Sequence, residues 1–217
     1  MCAVYSPTVN QDWVQSTFGL ALPTAVLPAA AKEVYPGYQG PIVVRSQRDG
    51  RTALGLANFG LIPPWARDNK IARHTYNARL ETVDSKPSYR DAWRHAHWAI
   101  VLADAFYEPC YETGRAVRWR IALANGEPMG IAGLWQRWRE PKTDQVVASF
   151  TMLTINADGH PLMSRLHKPD DEKRTPVVLA QASFQGWLSA GVQDARQYLS
   201  LAQMPELVGH PLETPAK

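Results

Sequence analysis

The second residue of the chain, Cys2, has the side chain whose chemistry is most distinctive for its position. We expect Met1 to be removed, because a small residue follows it, and Cys2 would then hold an α-amine and a thiol on adjacent carbons. An α-amine titrates near about 8, so a useful fraction is neutral in the cell and attacks aldehydes to form a Schiff base. The thiol then closes a five-membered thiazolidine, helped by a large effective molarity. A small residue can also stand second by chance, so other residues must support this chemistry.

A second candidate group lies in the segment 75–82, where Asn77 precedes Arg79 by two residues. A side-chain amide can orient a nucleophile by hydrogen bonding, while a guanidinium binds a phosphate through its fork of N–H donors. The pattern therefore predicts a paired positioning and phosphate-binding function. The alternative from the residues alone is a structural Asn turn followed by a surface arginine.

Two further candidates are Glu108 and His167. Glu108 follows the almost wholly apolar segment 97–105, and a carboxyl at the end of a buried strand can have a raised pKa, which suits a general acid or base. An exposed strand-end Glu108 is the alternative, and Asp104 is a competing residue with a more structural character. His167 lies in a polar loop before a strand, which favours function. Arg174 follows it, and either a phosphate contact or a surface salt bridge would fit.

The charge distribution suggests a polyanionic partner. The net charge is +3 with pI near 8.9, but the stretch 45–94 has ten Lys or Arg and five acids, which leaves +5. A solvated basic face without a partner would look the same. The two cysteines, Cys2 and Cys110, provide neither a disulfide framework nor a Cys-x-x-Cys motif, and we expect no metal site.

The length of 217 residues and the 45% hydrophobic content predict one globular domain over 1–217. Consecutive strand patterns with few helices predict a β-rich α+β fold. We expect short helices after Pro7, over 87–93 and over 183–190, a loop over 21–40, and an Asn-Gly hairpin turn at 125–126. The strand candidates are 41–44, 53–62, 97–105, 115–123, 131–138, 146–155 and 206–211. No stretch is long and apolar enough to span a bilayer, and we expect a cytoplasmic protein.

Taken together, these segments resemble the SOS-response-associated peptidase (SRAP) family over nearly the whole chain. The resemblance rests on five ordered motifs: Met1-Cys2, Phe59-Gly60-Leu61-Ile62-Pro63-Pro64-Trp65-Ala66, Asn77-Ala78-Arg79-Leu80-Glu81-Thr82, Ala103-Asp104-Ala105-Phe106-Tyr107-Glu108-Pro109, and His167 followed by Arg174-Thr175-Pro176-Val177-Val178-Leu179. The chain departs from the common Met-Cys-Gly-Arg start by having Ala3 and Val4. It also has six residues between His167 and Arg174, more than many members.

The resemblance implies a cofactor-free, monomeric protein that binds single-stranded DNA and links covalently to abasic sites. It assigns a catalytic set of Cys2, Asn77, Glu108 and His167, in which Asn77 holds the α-amine, Glu108 moves protons and His167 assists opening of the deoxyribose. It also implies that Arg79 and Arg174 contact phosphate and that Trp65 stacks on bases. Trp65 as a core residue after the Pro-Pro turn remains an alternative.

Two other functions fit parts of the pattern. One is an N-terminal nucleophile hydrolase or peptidase with self-processing activity, in which the Cys2 thiolate attacks an amide and leaves a thioester intermediate. The other is a non-catalytic single-strand DNA-binding module that relies on arginine and tryptophan side chains, for which Cys2 would be dispensable.

Overall fold

The computed structural model describes residues 2–23, 33–46 and 48–212. The α-helices are α1 (Gln11–Phe18), α2 (Arg90–Arg94) and α3 (Phe184–Ser189). The strands are β1 (Tyr5–Pro7), β2 (Gln39–Arg45), β3 (Thr52–Phe59), β4 (Asn77–Arg79), β5 (Trp98–Cys110), β6 (Val117–Leu123), β7 (Met129–Arg139), β8 (Val146–Asn156), β9 (Arg174–Pro176), β10 (Val178–Leu179) and β11 (Leu207–Pro211).

The eleven strands of the described residues form one sheet with a β-barrel core. Its main path runs β10-β7-β8-β3-β2-β5-β6-β11, and an additional pairing between β7 and β5 joins distant parts of that path. β5 is the organising strand, because its first half pairs with β2 and β7 while its second half pairs with β6, and β1 lies against its middle. β3 and β4 both pair with β8 in parallel.

Alternate residues of β5 enter two different apolar clusters, which explains why this strand is apolar at nearly every position. The first cluster contains Ala99, Val101 and Ala103, and the second contains Trp98, Ile100 and Leu102. Cys2 packs in the first cluster. All three helices pack in the second, through Trp13, Trp93 and Trp187.

The β-rich α+β fold expected from the sequence is confirmed, and the predicted strands and helices lie where expected to within a few residues. α1 begins after an N-cap, since Asn10 Oδ1 accepts from Trp13 N at 3.0 Å, and ends at Gly19, whose φ of +69° suits glycine. Within the predicted loop over 21–40, residues 24–32 lie outside the described residues.

The predicted hairpin at Asn125–Gly126 is wrong. A turn does form at 124–125, but the strands on either side of it do not pair with each other. β6 is already flanked by β5 and β11, and β7 lies between partners of its own, so the turn leads the chain away to another part of the sheet.

Candidate active site

Cys2 lies in a fixed backbone position beside the second half of β5. Its carbonyl oxygen accepts a hydrogen bond from Asn77 Nδ2 at 2.7 Å. Two residues later, the Val4 carbonyl accepts from Tyr107 N at 3.1 Å, which brings the N-terminal segment alongside the residue before Glu108. The Cys2 thiol is fully buried and lies 3.5 Å from the Val4 oxygen. These contacts hold the main chain on both sides of the nucleophile candidate.

Asn77 is held equally well, because β4 pairs with β8 and because Tyr89 Oη donates to the Asn77 carbonyl at 2.9 Å. Its side chain is buried. One half of the amide, Nδ2, binds the Cys2 carbonyl, and the other half, Oδ1, has no hydrogen-bond partner among the described residues. A buried acceptor without a partner carries a free-energy cost, so this atom is set to receive a donor.

Glu108 and His167 meet in the same place. Glu108 lies within β5 and not at its end, since the strand continues to Cys110, and it is 2% exposed. His167 is also buried, and its Nδ1 lies 3.5 Å from Glu108 Oε2. His167 Nε2 lies 3.0 Å from the Arg174 carbonyl, which only accepts, so Nε2 carries the hydrogen and Nδ1 presents its lone pair to Glu108.

His167 has a left-handed backbone conformation, with φ of +65°, which is uncommon for a residue other than glycine. Its own N–H donates to the Pro109 carbonyl at 2.7 Å, one residue after Glu108. The conformation therefore fastens the loop to β5 and turns the imidazole toward the carboxyl. Such strain is typical of functional sites, where the surrounding structure compensates its cost.

Burial makes the neutral forms of these groups more favourable. It raises the pKa of Glu108 to about 7, and it lowers the pKa of His167. Near pH 7 about half of the Glu108 carboxyls are therefore protonated beside an unprotonated His167, and such a carboxylic acid can donate to Nδ1. Burial also raises the pKa of the Cys2 thiol far above its ordinary value, and the charge of Glu108 adds to this effect. We refer to Cys2, Asn77, Glu108 and His167 as the Cys2 cluster.

A second polar group lies beside the Cys2 cluster, and we refer to its members Arg79, Glu81, Glu172 and Arg174 as the arginine cluster. Arg174 is 2% exposed. Its guanidinium binds Glu81 Oε2 at 2.8 Å, Glu172, and the carbonyl and hydroxyl oxygens of Thr154. Arg79 is half-exposed and pairs with Glu172 at 2.7 Å.

These positions change the expectation for Arg174. The sequence reasoning offered a phosphate contact or a surface salt bridge, but this guanidinium is buried and already bound by two carboxylates and a main-chain oxygen. The placement favours a structural function, in which Arg174 holds the strands β8 and β9 to the segment after β4. Arg79 keeps a side chain that can reach solvent and a phosphate.

Trp65 lies at the surface, since 57% of it is exposed, and its Nε1 donates to the Pro87 carbonyl at 3.3 Å. The alternative of a core tryptophan is therefore wrong.

Sequence reasoning missed Tyr5 and Tyr76, two aromatic residues around Cys2. Burial raises the pKa of both phenols, and the nearby Cys2 contributes to each shift. The position of Tyr76 directly before Asn77 was the available signal.

The described residues contain no group of three or more His, Cys, Asp or Glu side chains that could hold a metal ion. None of the helices in the part of the chain described here is long and apolar enough to cross a membrane.

Comparison with known proteins gives a consistent result. The sequence profile of the family described as SOS response associated peptidase (SRAP) matches residues 1–214. The abasic site processing protein YoqW of Bacillus subtilis is 33% identical over 151 residues, which cover 69% of this chain and 63% of YoqW. YobE, an abasic site processing protein of the same organism, is 31% identical over 71% of this chain and 75% of its own length. The chain thus spans less than two thirds of YoqW.

Solved structures agree with the sequence matches. A protein from Bordetella bronchiseptica superposes with a TM-score of 0.84 at 34% identity, covering 98% of this chain and all of the other. A protein from Bacteroides thetaiotaomicron superposes with a TM-score of 0.76 at 20% identity, over 98% of this chain and 92% of the other, and that likeness shows the fold alone.

Proposed function

The chain belongs to the SOS response associated peptidase family, and from this premise we propose that it processes abasic sites. In this proposal it binds single-stranded DNA and joins the lesion covalently through Cys2, once Met1 has been removed. The observation that carries the proposal is the Cys2 cluster, in which Asn77 holds the Cys2 main chain at 2.7 Å beside Glu108 and His167, whose atoms Oε2 and Nδ1 lie 3.5 Å apart. The names of the relatives YoqW and YobE support the same substrate class.

Removal of Met1 turns the Cys2 amide into an amine that can attack C1′ of the ring-opened deoxyribose. Asn77 Oδ1, which has no partner among the described residues, is then able to accept a hydrogen from this amine and aim its lone pair. The attack gives a carbinolamine. Loss of one water from C1′ gives a protonated imine, and addition of the thiol sulfur to C1′ closes the thiazolidine.

Glu108 suits both proton movements in this sequence. With a pKa of about 7 it holds a proton that can go to the departing hydroxyl, and the resulting carboxylate can take the thiol proton during ring closure. A base is needed there because the buried thiol has a pKa far above neutrality and does not ionise unaided. His167, whose pKa is lowered by burial, is a neutral base that can assist opening of the sugar ring.

DNA binding in this proposal uses Arg79 for phosphate and Trp65 for stacking. Arg79 can exchange its carboxylate partner Glu172 for a phosphate oxygen, since both side chains reach solvent. The exposed Trp65 indole offers a face to an unpaired base, and such stacking tolerates every base type.

The peptidase alternative requires the Cys2 thiol to attack as a thiolate. The raised pKa of the thiol works against a standing thiolate, and this favours addition to an imine over attack on an amide. Self-removal of Met1 is compatible with either chemistry, because it needs only a single turnover.

The proposal is tested by incubating the protein with an abasic oligonucleotide and detecting the crosslink by denaturing electrophoresis. Cys2→Ala is the test variant and Cys110→Ala is the control. We expect heat-stable adducts with the wild-type protein and with Cys110→Ala, which alters the other of the two cysteines. Cys2→Ala keeps an N-terminal amine but cannot close the ring, so its adduct should be lost on heating. Equal heat-stable crosslinking by Cys2→Ala would refute the thiazolidine mechanism. A thioester with a peptide substrate would favour the hydrolase instead.

A further inference from the structure

A pocket of about 650 Å³ lies at the other end of β5 from the Cys2 cluster. Its size is within the range of small-molecule sites. Glu108 lies ten positions after Trp98, which is next to the pocket, and this corresponds to at most about 33 Å of extended strand. The lining residues are Val44, Ser46, Arg48, Ala53, His97, Trp135, Gln136 and Arg137.

The rings of His97 and Trp135 form one wall of this pocket, and hydrogen bonds hold the His97 ring in place. Gln136 Nε2 donates to Asp91 Oδ2 at 2.7 Å, so its Oε1 must face the other way, where His97 Nδ1 lies at 2.7 Å. Since an amide oxygen only accepts, His97 Nδ1 carries the hydrogen. The imidazole lies against Trp135, with ring centroids 5.5 Å apart and an interplanar angle of 33°. The two rings therefore form a preoriented aromatic surface.

His97 stays uncharged over the neutral range, because burial lowers its pKa. Its ring thus offers a flat, weakly polar surface beside the indole. Val44 and Ala53, which pair across β2 and β3, complete an apolar floor. A planar heterocycle can pack against such a floor and wall without desolvating a charge.

The rim of the same pocket is cationic. Arg48 and Arg137 both line it, and no acidic side chain is among the described residues that line it. Arg137 is held in place by Trp135, with its guanidinium carbon 5.4 Å from the ring centroid. Guanidinium groups bind phosphate through paired N–H donors, and an arginine already oriented on an aromatic ring loses less freedom on binding.

We propose that this pocket binds a nucleotide, with the base against His97 and Trp135 and the phosphate between Arg48 and Arg137. The site goes beyond the Cys2 chemistry and does not depend on it. The nucleotide can come from two sources, either a free mononucleotide or one unit of a DNA strand that continues past the Cys2 cluster. The recognition chemistry is the same in both cases.

Calorimetric titration of the Cys2→Ala protein, which cannot form the stable crosslink, tests this site with three probes: deoxyadenosine monophosphate, deoxyadenosine and inorganic phosphate. We expect the monophosphate to bind at least about tenfold more tightly than either fragment, since it alone engages both walls. Arg48→Ala and Arg137→Ala should each weaken it by about tenfold, the loss of a charge-assisted hydrogen bond. The matched controls are Arg51→Ala and Arg139→Ala, which remove exposed arginines that pair with Asp49 and Asp144. They should stay within about twofold.

Intact oligonucleotides of about 4 and about 20 nucleotides, lengths that bracket known single-strand sites, distinguish the two sources. If the pocket holds part of a strand, Arg48→Ala and Arg137→Ala should weaken binding of the longer oligonucleotide and leave binding of the shorter one unchanged. If the pocket holds a free nucleotide, the two substitutions should weaken binding of the monophosphate only. The inference fails if the monophosphate binds no better than phosphate, or if the pocket variants and their controls behave alike. Loss of crosslinking in the wild-type protein would refute the proposed function and leave this result unaffected.

Discussion

The Cys2 cluster and the arginine cluster are adjacent, but their buried polar groups differ in how completely they are paired. They share β4, which carries Asn77 at its start and Arg79 at its end, and they share the segment 167–174. In the arginine cluster the buried Arg174 guanidinium has two carboxylate partners. In the Cys2 cluster burial shifts the pKa of Glu108 and of Cys2 upward and leaves Asn77 Oδ1 without a described partner.

This difference separates groups that stabilise the fold from groups prepared for chemistry. A buried charge with two partners, such as Arg174, has its preferred ionisation state and gains nothing from a substrate. A buried acid with a pKa near neutrality can give and take a proton at little cost, and an unsatisfied acceptor gains when a donor arrives. We therefore expect substitution of Glu108 to lower the crosslinking rate and to raise the free energy of unfolding. Substitution of Arg174 should instead lower the free energy of unfolding.

The largest effect we predict is on the rate of crosslinking in Glu108→Gln. Removal of a general acid and base should slow single-turnover crosslinking by about 10²–10⁴ while single-strand affinity changes only a few-fold. His167→Ala should slow the reaction of a natural abasic site more than that of a substrate held as the open aldehyde. A wild-type rate for Glu108→Gln would show that the carboxyl takes no part in the proton transfers.

The next effect is on stability, in Arg174→Leu. The substitution leaves Glu81 and Glu172 without their shared cation and removes the bonds to Thr154, so we expect the free energy of unfolding to fall by about 3 kcal/mol. Denaturant unfolding measures this. Arg79→Leu is the matched control, because its half-exposed pair with Glu172 should contribute less than about 1 kcal/mol. Similar losses in the two variants would contradict a structural function for Arg174.

Glu108→Gln should have the opposite sign in the same measurement. The pKa of Glu108 is about 7 in the folded protein against an ordinary 4.5, so between these values the folded state holds a proton that the unfolded state has lost. The wild-type protein therefore loses stability as pH rises from about 4.5 to about 7, and glutamine, which does not titrate, is spared that loss. Above pH 7 we expect Glu108→Gln to exceed wild type by about 1–3 kcal/mol, relative to their difference at low pH. A pH-independent difference would argue against the raised pKa.

The smallest effect concerns Arg79, at the edge of the arginine cluster. Arg79→Ala should weaken binding to intact and abasic single strands alike, because it removes a phosphate contact that does not read the lesion. The slope of log K against log salt should become shallower by about 0.7, the value for one neutralised phosphate on a single strand. Affinity measured at several salt concentrations checks this, and an unchanged slope would remove Arg79 from the DNA-binding surface.

Much of the fold could be predicted from the sequence because the signals were local, as in the apolar run of β5, which indicated a buried strand. The residue types alone left alternatives open for Asn77 and Glu108, and the resemblance to the SRAP family selected the set Cys2, Asn77, Glu108 and His167. Strand pairing was harder to predict than the strands themselves. The Asn125–Gly126 turn has the residue types of a hairpin, and only the rest of the sheet shows that β6 and β7 pair with other strands.

Contacts distant in sequence account for the remaining differences. Arg174 binds Glu81 across 93 residues, so its burial could not be distinguished from surface exposure by composition. His97 and Gln136, which line the proposed nucleotide pocket, are 39 residues apart; Gln136 lies in β7 and His97 directly precedes β5. The exposure of Trp65 depends on where the chain runs after the Pro-Pro turn, which propensity does not encode.

Intact-mass measurement after incubation with an abasic single-stranded oligonucleotide tests the central claim most directly. We predict one new species, with the mass of the protein lacking Met1 plus the oligonucleotide minus one water, and no addition of hydrogen after borohydride treatment, since a closed thiazolidine has no imine to reduce. The species should be absent with an oligonucleotide that has no abasic site. An unmodified protein, or an adduct on a chain that still carries Met1, would contradict covalent capture through the Cys2 amine.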